Sequence, residues 1–359
     1  DIISVHELDT EYGVPEGYVR IAWGSQDPLE WTSTTLASGS EAPSAEDVDV
    51  ADADGDGWLD IVVACELAHL IYFQNPGKNH RSVRWERTIP EISLNRGSFI
   101  RVFFADFNQD GKVEVVAANK GAENPEVNDA PLNNVSIYQL PQDPLEGSKW
   151  KELVLTQVRI PINSQPVDLD LDGDMDIVVG SRGEKRILWL ENLGNFKFTE
   201  HDINFSTDID KGSWITGFNM DYADLNGDGR LDIVNSVWPS SVYALFQPAK
   251  PTDEWNIKKI GSIAPDMLVS VSLADIDGDG DKDIFSGSYS LGSRHKDDDN
   301  TSNKAFGSVV WFENKKSHWI KNNILRRKRG MYDKWIPLDV DKDGDIDFVG
   351  TRGNSKPYD

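Results

Sequence analysis

Apolar and polar residues alternate in short segments that recur along the chain. VDVAD (48–52), IRVFFAD (100–106), PVDLD (166–170), FNMDYAD (218–224), VSVSLAD (269–275) and IPLDVD (336–341) each have a period of two. That is the period of a half-buried strand. Each segment runs into an acidic, glycine-containing loop and then into a β-branched run such as DIVVA (60–64) or DIVVG (176–180). An aromatic segment follows five of them: LIYFQNP, VSIYQLPQ, ILWLENLG, VYALFQP and VVWFENK. A last segment led by an aromatic residue closes each unit: WERTI, WKELVL, FKFTEHDI, WNIKKI and HWIKNNI. The pattern predicts units of four short antiparallel strands, about 50–60 residues each, which is the period of a propeller blade.

The two ends supply half units. Residues 18–36 read as a second half-blade without a first. Residues 336–350 read as a first half-blade without a second. Joined, they make a closing blade, and the chain is expected to be one domain, 1–359: an all-β, single β-propeller of four-stranded antiparallel blades. The motif count gives six blades. A seventh would need residues 1–17 and irregular segments, which hold no further motif. Closure by strands from both termini would remove the exposed sheet edge.

The loops carry the chemistry. Asp52, Asp54, Asp56 and Asp60 crowd four carboxylates into nine residues. Like charges this close repel unless a cation sits among them. Acids at positions one, three and five with glycine at six match the front of a calcium loop. The closing acid falls at nine rather than twelve, and a β-branched run follows, so a helical calcium hand does not fit. The same spacing recurs at Asp106, Asn108, Asp110 and Glu114; at Asp168, Asp170, Asp172 and Asp176; at Asp224, Asn226, Asp228 and Asp232; at Asp275, Asp277, Asp279 and Asp283; and at Asp339, Asp341, Asp343 and Asp347. The expected cofactor is Ca2+ at several structural sites, with one that could lie near an active site. Asn108, Asn226 and Glu114 predict weaker binding in their loops.

The D-x-[DN]-x-D-G-x-x-D loop followed by an apolar strand resembles the FG-GAP/VCBS repeats of calcium-binding β-propellers. The likeness covers nearly the whole chain. Propellers of that family typically have seven blades.

Composition narrows the partners. The chain has 359 residues, 61 acids against 36 lysines and arginines, and a net charge of −25. Six calcium ions would offset about 12 of those charges. The negative charge that remains argues against general nucleic-acid binding, which needs a basic face. A single cysteine, Cys65, excludes an internal disulfide and reads as a buried, inert thiol. No apolar run is long enough to span a membrane, and a chain starting at Asp1 reads as a mature form. Loops of moderate affinity suit the millimolar calcium outside cells, so a secreted or periplasmic monomer is expected.

The acidic loops join first to second strands and share one face. The opposite face collects the loops between second and third strands and those between blades. It gathers Arg96, Lys120, Arg182, Lys334 and Arg352 with His69, Tyr289 and Tyr332. Asn119 and Trp238 join them, and Arg101 points toward the channel. Arginine pairs with carboxylate and tryptophan stacks on a sugar ring, so the expected ligand is an acidic polysaccharide or oligosaccharide.

The family resemblance points further, to propeller polysaccharide lyases of the rhamnose–glucuronate and ulvan type. These remove the proton beside a uronate carboxyl and expel the 4-linked sugar by β-elimination. That chemistry needs a neutralising clamp, a base and an acid. Arg96, Arg101, Asn119, Lys120, Arg182, Trp238, Lys334 and Arg352 are the expected substrate-binding residues. His69, Tyr332 and Tyr289 are the expected catalytic ones. Two alternatives stay open: a non-catalytic carbohydrate- or protein-binding propeller of the lectin or integrin kind, and a sugar dehydratase.

Overall fold

The computed structural model describes residues 1–8, 16–25, 27, 29–122, 124–206, 209–290, 306–328 and 330–351. Among these described residues, twenty-five strands and a few short 3-10 turns make up the regular structure, and the protein is all-β. Two compact units divide it, residues 1–202 and 203–359.

The first unit holds four sheets. Strands β1 (Ile2–Leu8), β2 (Glu16–Trp23) and β3 (Thr32–Gly39) form a three-stranded sheet. Three four-stranded sheets follow. The first contains β4 (Ala45–Ala51), β5 (Asp60–Cys65), β6 (Leu70–Gln74) and β7 (Glu86–Thr88). The next contains β8 (Phe99–Ala105), β9 (Glu114–Asn119), β10 (Leu132–Gln139) and β11 (Lys151–Arg159). The last contains β12 (Pro161–Val167), β13 (Asp176–Ser181), β14 (Arg186–Asn192) and β15 (Phe198–Asp202). Every pairing is antiparallel between chain neighbours.

The second unit repeats the plan. One four-stranded sheet is β16 (Met220–Ala223), β17 (Asp232–Val237), β18 (Ser241–Phe246) and β19 (Asn256–Ser262). Another is β20 (Met267–Ala274), β21 (Asp283–Tyr289), β22 (Gly307–Asn314) and β23 (Trp319–Arg327). A two-stranded sheet, β24 (Trp335–Leu338) and β25 (Asp347–Gly350), ends the described chain. The four-strand unit read from the sequence is therefore present five times. One strand escaped that reading: β1 pairs along the whole length of β2, from Ile2 opposite Ala22 to Leu8 opposite Glu16. Its sequence, IISVHEL, has neither an acidic loop nor a turn motif in front of it to mark it.

Stacking explains why second strands read as unbroken apolar runs. In β5, Ile61, Val63 and Cys65 face one layer, packed with Val19, Ile21, Trp23 and Phe73. Val62 and Ala64 face the other, packed with Phe99, Val102, Val115 and Tyr138. Both faces are covered, so alternation between apolar and polar residues disappears. Phe107, Val116, Ile137, Val179 and Leu190 fill the next layer. In the second unit Val234, Ala244, Leu268, Ile284 and Phe312 do the same, and Phe285, Tyr332, Trp335 and Phe348 form a smaller layer. Cys65 is fully buried and its thiol pKa is pushed up by that burial, which agrees with an inert thiol.

First strands of successive sheets are neighbours: β4 lies beside β8 and β8 beside β12 in one unit, β16 beside β20 and β20 beside β24 in the other. The acidic loops therefore come close to one another at one end of each stack. Gln109 Nε2 in one loop donates to the Gly173 carbonyl of the next at 3.0 Å.

Candidate metal centres and the opposite loop ends

All six acidic loops share one backbone geometry. The first acid accepts a hydrogen bond from the amide of the glycine five residues on. Asp52 and Gly57 are 3.0 Å apart, Asp106 and Gly111 2.8 Å, Asp168 and Gly173 3.1 Å. Asp224 and Gly229 are 2.8 Å apart, Asp275 and Gly280 3.0 Å, Asp339 and Gly344 3.1 Å. Those glycines have φ between +84° and +100°, a left-handed turn that side-chain-bearing residues rarely adopt.

The closing acid braces the loop. One oxygen of Asp60, Glu114, Asp176, Asp232, Asp283 and Asp347 accepts the amide of the loop's second residue at 3.0–3.2 Å. In four sheets its other oxygen accepts an amide at the far end of the third strand. The donors are Asn75 to Asp60 (2.8 Å), Asn192 to Asp176 (2.7 Å), Gln247 to Asp232 (2.9 Å) and Asn314 to Asp283 (2.7 Å).

The donor set fits a hard cation. Asp52, Asp54 and Asp56 each bring a carboxylate oxygen to within 4.8 Å of the others. So do Asp168, Asp170 and Asp172; Asp275, Asp277 and Asp279; and Asp339, Asp341 and Asp347. Two first-position oxygens, Asp168 Oδ1 and Asp275 Oδ1, are buried with no hydrogen-bond partner, as is Asp174 Oδ1, while Asp281 Oδ2 has Lys316 Nζ at 3.5 Å. Buried acceptors need a proton or a cation. Burial, with smaller contributions from neighbouring carboxylates, pushes Asp60 and Asp232 up to about 6 and Asp176 and Glu114 up to about 7. A bound calcium would remove that penalty: oxygen-only ligands, turn geometry and excess negative charge all suit it.

The six loops are not equivalent. Lys315 Nζ lies 2.9 Å from Asp277, 3.5 Å from Asp279 and 2.5 Å from Glu313, so an internal ammonium stands among carboxylates of that loop. Arg230, at the loop's own seventh position, pairs with Asp228. Asn108 Nδ2 donates to Asp110 at 3.1 Å where another acid would add charge. Gln74 Nε2 bonds Asp54.

At the opposite loop ends of the first unit, the structure brings several expected residues together. Asn119 ties the loops 95–98 and 119–121: its Oδ1 accepts from Ser98 N (3.1 Å) and Gly121 N (2.9 Å), and its Nδ2 donates to the Arg96 carbonyl (2.7 Å). Lys120 is buried and paired with Glu66. A cavity of about 230 Å³ opens beside them, lined by Glu66, Asn95, Gly97, Ser98 and Gly121. Arg96 instead reaches Glu152 at 2.6 Å, and Arg101 lies 3.8 Å from Glu46. His69 is buried at the end of the turn after β5, and neither ring nitrogen has a partner. Burial, then the charge of Arg87, holds its pKa down to about 4. Arg182 is half-buried after β13, its amide bonded to the Ile160 carbonyl at 3.0 Å.

In the second unit Tyr332 is buried, stacked 5.5 Å from Trp335, and its hydroxyl pKa is raised by burial. Tyr289 ends β21, opposite Met331 in an isolated bridge. Lys334 is exposed. Arg352 lies outside the described residues, as does most of the polar insertion at 291–306. Trp238 follows β17 and is 42% exposed. It opposes Trp214, 37% exposed, in an isolated antiparallel bridge. Directly opposed residues of an antiparallel pair project to the same side, so two indoles leave one surface together. Segment 209–219 is anchored there by Asp210, which accepts from Ser241 Oγ (2.9 Å) and pairs with Lys259 (2.5 Å). Trp214 stands in a stretch with no motif, and only the bridge identifies its relation to Trp238.

Residues 1–63 and 168–235 match the FG-GAP-like repeat family, so the chain carries repeats of that kind. No curated protein sequence matches it. Among solved structures it is similar to the V. cholerae biofilm matrix protein Bap1, at 16% identity and a TM-score of 0.42, over 78% of this chain. The similarity spans 39% of that structure's chain. No helix among the described residues is long and apolar enough to cross a membrane.

Proposed function

We propose that the chain is a secreted, calcium-stabilised β-propeller that binds carbohydrate at the loop ends opposite its acidic loops. One observation carries the binding reading: Trp214 and Trp238, opposed in a backbone bridge, leave the same surface while each is more than a third exposed. Large aromatic side chains are normally buried, and flat exposed indoles suit the apolar face of a pyranose. Ion pairs weigh against a free cationic clamp. Arg96, Arg101 and Lys120 each answer an acid of their own unit. Such pairs hold loops in place, and a ligand carboxylate would have to displace them. Closure into one propeller belongs to this proposal. Both edges of β2 are already taken by β1 and β3, which favours seven blades over six.

The direct test is a glycan array probed in calcium with the protein and with Trp238→Ala. Binding that falls at least tenfold in the variant supports the reading. An array with no bound glycan, or binding indifferent to Trp238, overturns it.

A uronate lyase is the second reading, favoured by a cavity lined by Glu66, the partner of buried Lys120, and by the 95–98 loop that Asn119 ties down, with His69 at the nearby turn. His69 is neutral at pH 7 and could accept a proton, but only if the 66–69 turn moved to expose a nitrogen. Absorbance of the unsaturated product, measured on a panel of uronate polysaccharides, separates the readings. A rise lost in His69→Ala would establish the lyase; a flat trace on every polymer would exclude it for those substrates.

A further inference from the structure

Segment 75–85, between β6 and β7, is tied down along its length. Asn75 donates its amide to Asp60 (2.8 Å) and its Nδ2 to the Leu59 carbonyl (2.9 Å). The His80 ring lies 5.1 Å from that of Trp23 and 5.4 Å from that of Trp58. Trp85 is buried, and its Nε1 donates to the His80 carbonyl at 2.9 Å. Arginines therefore project from a fixed backbone. Arg81 lays its guanidinium over the Trp23 ring, 5.0 Å from the centroid, with Asp1 at 3.4 Å. Arg84 and, from β7, Arg87 converge on one atom: each places Nη2 3.1 Å from Glu41 Oε1. Three guanidinium groups meet two carboxylates here, in a chain whose acids outnumber its lysines and arginines 61 to 36.

A groove of about 450 Å³ opens between this segment and β3. That volume lies in the range of ligand pockets, roughly 300–1,000 Å³. Arg81, Ser82 and Arg84 line it from the segment, and Thr35 and Ser38 line it from β3; all five are exposed. Leu36, Ala37 and Trp85 line it too but are buried, so Val83 alone adds exposed apolar surface among the described lining residues. The ion pairs differ from that of Lys120 and Glu66, which is buried and costly to break. The Arg84 side chain is 73% exposed and that of Arg81 53%, and pairs of such exposed groups hold little energy. Two guanidinium groups sharing one oxygen also leave N–H donors over, since each carries five. An incoming oxyanion can take that fork without stranding a buried charge.

We propose that this groove binds the anionic groups, sulfate ester or carboxylate, of an acidic saccharide. The hydroxyls of Thr35, Ser38 and Ser82 match the hydroxyls of a sugar, and the guanidinium groups of Arg81 and Arg84 take its charge. Trp85 is the one aromatic residue among the described lining residues, and it is buried, so the groove offers no face on which a nucleic-acid base could stack. The small exposed apolar area gives a hydrophobic peptide side chain little to fill. That a saccharide carries the anion rests on the carbohydrate reading above. The arginine groove itself does not, and Trp214 and Trp238 belong to the other unit.

The test uses three labelled dextrans that share one backbone: dextran sulfate, carboxymethyl dextran and plain dextran. Each is added to the intact chain in calcium and followed by anisotropy. Saturable binding of one or both charged forms, and none of plain dextran, is expected. Replacing both arginines, Arg81→Ala with Arg84→Ala, should weaken binding at least tenfold, while Lys258→Ala, at an exposed cation of the other unit, should leave it within twofold. Arg84→Ala alone, at the more exposed of the two, should cost at least threefold, so the test survives if the double variant fails to fold. Binding indifferent to both arginines, an equal loss in Lys258→Ala, or no binding to protein shown folded by circular dichroism would overturn the proposal. Poly-L-glutamate bound as tightly as the charged dextrans would overturn the saccharide and make the occupant an acidic peptide. Arginine-dependent binding beside an empty glycan array would sink the tryptophan site and support the groove, so either proposal can fail alone.

Discussion

Asp168 takes a hydrogen bond from the amide of Gly173 at 3.1 Å through Oδ2, while its Oδ1 is buried with no partner. The turn is thus held by one oxygen, and the carboxylate brings an oxygen to within 4.8 Å of those of Asp170 and Asp172. The same division holds at Asp275 and Gly280. A loop preformed in this way loses little entropy when a cation arrives. Asp168→Asn should keep the turn bond and remove a charge, so calcium affinity at that loop should fall at least tenfold with little change in calcium-free stability. Isothermal titration of the variant beside the parent checks both halves.

Lys315 gives the loops a built-in difference. Its ammonium stands 2.9 Å from Asp277, where an incoming dication would have to displace it. Lys315→Met should therefore raise calcium affinity at 275–283, by up to about fivefold for a partly exposed ion pair. Competition titration with a calcium indicator dye would show it. Unchanged affinity would mean that the ammonium swings clear at no cost.

The closing acids are structural before they are ligands. Asp176 is buried and accepts from Asn192 and Leu169. Asp176→Ala leaves two amides without acceptors, a cost of about 1–3 kcal/mol for each one left buried. Thermal unfolding should drop by several degrees even without calcium. A drop seen only with calcium would make Asp176 a ligand and not a brace.

His69 predicts an acid limb. Its folded pKa is about 4, below the ordinary value of 6.5, so the unfolded chain binds the extra proton first. Its contribution is present in full above pH 6.5 and is lost as pH falls toward 4, by about 2–3 kcal/mol. In His69→Gln, urea unfolding between pH 6.5 and 4 should lose that part of the slope. A slope identical to the parent's would place the acid sensitivity elsewhere.

Much of this architecture was legible in the sequence because its units repeat. Alternation before each loop, the β-branched run after it and the aromatic third segment fixed four strands per unit, and β4–β7 follows that order without exception. β1 was not legible because no acidic loop or turn motif marks it. It becomes visible through its pairing along β2. The loop acids were readable because oxygen ligation demands fixed spacing. The opposite loop ends were not, since what decides their role is pairing in space. Lys120 and Glu66 are 54 residues apart, and no local pattern announces that the lysine is already engaged.

Calcium binding by the folded chain is the measurement that bears most directly on this account. Calorimetric titration of chelator-treated protein, with thermal unfolding before and after, should show more than one equivalent bound. It should also show a melting temperature that rises with calcium and returns with chelator. No heat of binding and identical melting in calcium and chelator would contradict it: the buried, partnerless oxygens of Asp168 and Asp275 would then be protonated, and the loops would be turns alone.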